Sequence, residues 1–111
     1  MALTLSPSIT GNVARLELVG DVDGSTAPLV REAVDKLLGN SPQSLVLQVE
    51  HLAYMSSAGL RVLIFAKQKL PNLKIYIVKA QAPIIDTLKK TGFYDGVYVT
   101  DTEPEASAPP V

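Results

Sequence analysis

Hydrophobic period alternates along this chain: segments that repeat every second residue give way to segments that repeat every three or four. Val13–Val19 sets Ala14, Leu16 and Leu18 on one side and Val13, Arg15 and Glu17 on the other, the mark of a one-sided strand. Leu3–Ile9 lies before it across Thr10-Gly11-Asn12, a turn-prone triplet, so the two segments predict a hairpin. Ala27–Leu38 then reads as a helix, with Pro28 tolerated in its first turn and Gly39-Asn40 at its end. Its expected buried stripe is Leu29, Ala33 and Leu37 with Val30 and Val34.

The alternation continues to the end of the patterned region. Ser44–Glu50 predicts a strand with Leu45, Leu47 and Val49 inward, although Val46 departs from the pattern. A loop from His51 to Ser56 leads to a helix over Ala58–Leu70, stopped by Pro71-Asn72. Lys74–Lys79 predicts a strand, Pro83–Thr91 a helix closed by Gly92, and Val97–Thr100 a short final strand. This order gives an α/β fold: a mostly parallel sheet with an N-terminal antiparallel hairpin and its helices mainly on one face. One-sided strands agree, because a sheet covered on both faces reads as continuous apolar runs. Residues 1–100 form the expected domain. Residues 101–111, rich in Asp, Glu, Pro, Ala and Ser, are expected to be a disordered tail.

Composition removes several classes of function. With 111 residues the chain can bury a single core without metal or disulfide staples. It has no cysteine, which rules out thiolate zinc and iron–sulfur sites, and its single histidine, His51, cannot make a multi-histidine metal site. No cofactor is expected. A net charge of −1 leaves no electrostatic footprint for nucleic acid. MALTLSPS lacks the pattern of a signal peptide, and no apolar run approaches the ~20 residues that span a bilayer. A soluble cytoplasmic domain with no membrane contact is the expectation.

In sheets of this type, sites gather where strands end and helices begin. Asp21–Thr26 and His51–Ser57 both follow strands and should share one rim. Ser56-Ser57, at the start of a helix, could supply an N-cap, a nucleophile or a phosphate acceptor. The nucleophile fails on spacing: Met55-Ser56-Ser57-Ala58-Gly59 has methionine where the first glycine of G-x-S-x-G belongs, and His51 lies upstream of the serine. No phosphate loop of the GxxxxGK[ST] or GxGxxG type is present. The chain is therefore not expected to be an enzyme. A phosphate on Ser57 would meet the positive end of the helix and could be accepted without unfolding. Local chemistry leaves cap and acceptor both open. In the same helix Leu60, Val62, Leu63, Ile64, Phe65 and Ala66 spread around most of the circumference. Some of them, with Arg61 at the rim, are expected at the surface for a partner.

Leu18-Val19-Gly20-Asp21-Val22-Asp23 with Thr26-Ala27, Leu45-Val46-Leu47-Gln48-Val49, and Tyr54-Met55-Ser56-Ser57-Ala58-Gly59-Leu60 together resemble a STAS domain of the bacterial anti-sigma-factor antagonist type. The resemblance covers roughly residues 3–100 and implies a phosphoprotein that works by partner switching. In that family the unphosphorylated antagonist binds a serine kinase that is also the anti-sigma factor, which frees the sigma factor for transcription. The kinase then phosphorylates the antagonist, and a PP2C-type phosphatase resets it. The matching phosphoacceptor is Ser57 and the matching loop acid is Asp23. Partner contact is expected from Asp21, Asp23, Thr26, Ser56, Gly59, Leu60 and Arg61. Ser56 departs from the family, which often has Asp there, and adds a second hydroxyl beside the acceptor. STAS domains also serve as scaffold subunits of lipid-transport assemblies, which gives the alternative reading.

Overall fold

A two-residue turn opens the fold. Gly11 adopts φ +59°, the left-handed conformation that a tight hairpin needs, and Thr10 pairs with Val13 across it. The computed structural model describes residues 3–101. Its elements are β1 (Leu3–Thr10), β2 (Val13–Val22), α1 (Ala27–Leu38), β3 (Ser44–Gln48), β4 (Leu52–Met55), α2 (Ser57–Lys69), β5 (Lys74–Val78), α3 (Ala82–Lys90) and β6 (Tyr98–Thr100), with a 3₁₀ turn at Tyr94–Gly96. The strands lie in the order β1-β2-β3-β5-β6, and β4 pairs with β2 beyond the end of β3. All pairings are parallel except the β1–β2 hairpin, as the alternating pattern predicts. Pro7 falls in β1, an edge strand, where a missing N–H is tolerated.

One face of the sheet carries the main core. Leu16, Leu18, Leu45, Leu47, Ile75 and Ile77 project from the strands into it. Val30, Val34, Leu37 and Leu38 of α1, Leu60, Val62, Leu63 and Ala66 of α2, and Ile84 and Leu88 of α3 join the same cluster. Val13, Val46 and Val78 gather with Tyr76 in a small second cluster on the other side of the sheet. Val46 is therefore no irregularity in β3. The run Leu45-Val46-Leu47 looks continuous because both faces are buried at that point. Beside this cluster, Tyr76 and Tyr98 stack with ring centroids 5.0 Å apart.

Three expectations need correction. The segment expected as a loop from His51 to Ser56 contains β4, because Leu52 and Met55 bury their side chains while the backbone pairs with Gly20–Val22. A four-residue strand whose two inward residues are Leu and Met is too short to show a period. The preceding strand ends at Gln48 rather than Glu50, since the Val49 carbonyl accepts from the Leu52 amide (3.1 Å) and turns the chain toward β4. Leu29, expected in the stripe of α1, is exposed: the helix packs against β1 and β2 at the sheet margin, and no further strand lies beneath that side. The tail expected over residues 101–111 lies, beyond Asp101, outside the described residues.

Burial separates two substitutions of similar size. Leu52→Ala should cost about 2–5 kcal/mol, because it empties a fully buried site. Ile64→Ala, on the exposed side of α2, should stay within about 0.5 kcal/mol. Urea unfolding of the two variants checks this difference.

Candidate functional site

The rim is assembled by the end of β2 and the start of α2. Asp21 lies within β2, paired with Tyr54 of β4, and Val22 pairs with Met55. The Val22 carbonyl then accepts a hydrogen bond from the Ser56 amide at 2.8 Å. This contact places the loop from Asp23 to Thr26 beside the Ser56-Ser57 step, as expected of a shared rim.

The loop satisfies its own polar groups. Asp23 Oδ1 accepts from the Ser25 amide (2.9 Å), the Ser25 hydroxyl (2.7 Å) and the Thr26 amide (3.1 Å). The buried Thr26 hydroxyl donates to the Asp21 carbonyl (2.9 Å) and accepts from the Asp23 amide (2.9 Å). The Asp23 carbonyl accepts from the Ala27 amide at 2.8 Å and so ties the loop to the first turn of α1. Donors converging on one oxygen favour the ionised form. The Ser25 hydroxyl, followed by its amide, holds the Asp23 carboxyl below the usual carboxylate range despite some opposing desolvation.

At the start of α2 the two serines take different places. Ser56 is the N-cap: its backbone is extended and its hydroxyl accepts from the Ala58 amide at 3.2 Å. Ser57 is the first helical residue, and its exposed side chain makes no hydrogen bond to another described residue. Gly59 is buried where α2 crosses the β2–β4 pair. A Cβ at Gly59 would stand 2.6 Å from Met55 Cγ and 2.9 Å from Val22 Cγ1, so only glycine lets the helix start this close to the sheet.

The remaining expected contact residues divide by exposure. Leu60 points into the core with Gly59 beside it, not toward the surface expected of it. Arg61 is exposed one turn beyond Ser57. Of the large apolar residues on α2, Ile64 is exposed, and Phe65 is partly covered by the Arg31 guanidinium, 4.3 Å from its ring centroid. The sequence reading did not single out Ser25 or the exposed Tyr54 beside Asp21. The Asp-x-Ser spacing signals the first, because a carboxylate commonly bonds the backbone two residues on; the second needs the β4 register. His51 turns its side chain outward near Glu50 (3.9 Å), while its carbonyl accepts from the Gly20 amide. Among the described residues no group of three His, Asp or Glu side chains could hold a metal, and no helix is long and apolar enough to cross a membrane.

Residues 5–106 match the family model of the STAS domain. The chain belongs to the STAS family. It is 26% identical over 69 residues to the anti-sigma-F factor antagonist RsfB of Mycobacterium tuberculosis, a match covering 62% of this chain and 57% of that protein's length. A crystal structure of an anti-sigma factor antagonist from Mycobacterium paratuberculosis superposes with a TM-score of 0.83 at 22% identity, over 95% of this chain and 91% of that one. The anti-sigma factor antagonist SpoIIAA in its unphosphorylated form gives a TM-score of 0.77 at 16% identity, covering 95% and 92%. These structural likenesses establish the STAS fold, including the one-sided sheet and the hairpin.

Two substitutions probe the rim. Gly59→Ala should destabilise by up to about 2 kcal/mol: overpacking costs about 1–3 kcal/mol, and the better helix propensity of alanine returns about 1. Thermal unfolding measures this. Ser25→Ala should raise the Asp23 titration midpoint, read from its carboxyl ¹³C shift, because the largest stabiliser of the ionised form is lost. The sign for stability follows. A depressed carboxylate contributes above its unfolded pKa, and the contribution disappears as pH falls through the lower folded value. The Ser25→Ala protein should therefore lose this contribution at a higher pH than the parent.

Proposed function

We propose that this STAS domain is a cytoplasmic, non-enzymatic anti-sigma-factor antagonist: it binds an anti-sigma-type serine kinase, and phosphorylation of Ser57 releases it. A PP2C-type phosphatase resets the switch, and transcription responds through the sigma factor that the bound kinase no longer holds. The observation that carries the reading is the division of labour at the start of α2. Ser56 is occupied in capping, whereas the Ser57 hydroxyl is exposed and makes no hydrogen bond to another described residue. The names of its relatives, anti-sigma factor antagonists, support the same class of partner.

Electrostatics explains how such a mark would act. Phosphate adds about 1.5–2 negative charges at the helix end, where the dipole and backbone amides tolerate it. Asp21 and Asp23 already bring two carboxylates to this rim, beside the exposed Arg61 one turn along α2. A partner that fits the unmodified rim then meets added charge with no compensating group, and affinity falls. The fold itself has little reason to change, because the Gly59 crossing lies below the modified side chain in close-packed core.

Incubation with the cognate kinase and ATP, followed by mass spectrometry, tests the assignment. One phosphate on Ser57, absent from Ser57→Ala, is the expected result, with kinase affinity at least about tenfold lower for the phosphorylated protein. Phosphate on Ser56 would overturn the choice of acceptor. Amide shifts spreading from Ser57 through α3 and β6 would overturn release by charge alone.

A further inference from the structure

Four residues of α2 follow one another a helical turn apart along a single stripe: Ser57, Arg61, Phe65 and Lys69. The last two are tied to α1. Lys69 pairs with Asp35, and the Arg31 guanidinium lies 4.3 Å from the Phe65 ring centroid. Asp35 and Arg31 are likewise one turn apart, so the two helices run side by side in the same direction. The next rung of α1 is Ala27, its first residue, which is buried and offers a guanidinium nothing to bind. Arg61 is left exposed, and it makes no hydrogen bond, ion pair or ring contact with another described residue.

Ser57 heads the same stripe, one turn before Arg61. A phosphate there would stand on the N-terminal side of the cation, the order of acid and base that a helix favours. Cβ atoms at this spacing are about 5–6 Å apart, a gap that the long arginine side chain spans. The nearest helix amides already have acceptors. The Ala58 amide donates to the Ser56 hydroxyl at 3.2 Å, and the Gly59 amide to the Ser56 carbonyl at 3.0 Å. Other basic groups at the strand ends are engaged elsewhere: Lys79 lies 3.7 Å from the Glu50 carboxylate and His51 3.9 Å from it.

We infer that a phosphate on Ser57 is bound by Arg61 of the same helix, through charge-assisted hydrogen bonds from the guanidinium. The inference rests on Ser57 being the phosphoacceptor. In the unmodified chain Arg61 is an exposed cation beside the rim, open to a carboxylate of a partner. Once Ser57 carries phosphate, the guanidinium turns back along the helix to meet it. One modification thus adds an anion to the rim and withdraws a cation from the partner. Arginine suits this task better than lysine, because its planar fork can meet two phosphate oxygens at once.

Phosphoserine encoded at position 57 during synthesis of the full chain tests the inference without any kinase. A failed kinase assay and a failed Arg61 contact are then separate results. The second ionisation of the phosphate, ordinarily near about pH 6, is followed by its ³¹P resonance. A guanidinium bonded to the dianion lowers that midpoint, whereas the carboxylates of Asp21 and Asp23 raise it. Arg61→Gln should therefore raise the midpoint by at least about 0.3 pH units, and Arg61→Lys by less. In the parent sequence the Arg61 Nε–H resonance should move when Ser57 is phosphorylated and return as the phosphate takes up its proton. Arg61 is exposed, and unchanged melting of the unmodified Arg61→Gln chain would show that the fold is intact. Equal midpoints for the parent and Arg61→Gln overturn the inference, as does an Arg61 resonance indifferent to the phosphate. A response at the Ala58 amide in place of Arg61 would also overturn it and give the phosphate to the helix end.

Discussion

The hydrogen bond from the Ser56 amide to the Val22 carbonyl, with Gly59 packed directly beneath it, joins the two halves of the rim. One side of this joint is the end of β2, which continues into the Asp23 loop. The other is the start of α2, which carries Ser57. Without a Cβ at position 59 the helix lies against Val22 and Met55 at a distance that no other residue allows. The cap at Ser56, the exposure of Ser57 and the nearness of Asp23 all depend on that approach.

The joint also explains why so short a strand as β4 exists. Beyond β3, the side of Gly20–Val22 that faces away from β1 would otherwise lie unpaired next to buried side chains. β4 supplies those hydrogen bonds and delivers the chain into α2 with little slack. The loop across the rim is made equally firm by local bonds from Asp23 and Thr26. A surface built in this way suits a charge-based signal: it holds its shape while one side chain changes its charge.

The one-sided sheet divides the surface into regions of different character. The three helices share a single core face, and the opposite face carries a small valine cluster and the Tyr76–Tyr98 stack. At the margin, α1 rests on β1 and β2 with no further strand beneath it, which leaves Leu29 outside the core and opens an apolar groove between β1 and α1. The rim lies at the strand ends, and α2, which carries Ser57, takes no part in the groove.

Most of the architecture was legible because alternating residues in β2 and helical spacing in α1 and α3 are local properties of the chain. The strand and helix order followed from them, and with it the shared rim. The Ser56-Ser57 step, too, marked itself as a helix start from residue type alone. Other features depended on partners distant in sequence. β4 is too short to carry a period, and only its pairing with the end of β2 makes it a strand. Leu29 and Leu60 are both leucines at helical positions, yet one is exposed and the other buried, according to how much sheet lies beneath each helix. Which serine caps and which stands free was likewise decided by the Val22–Ser56 bond, which fixes where α2 begins. Every element but β4, and the order of those elements, could be read from the chain, because periodicity is written residue by residue. Exposure at the site was decided only by the tertiary structure, because it depends on what packs against each side chain from elsewhere in the chain.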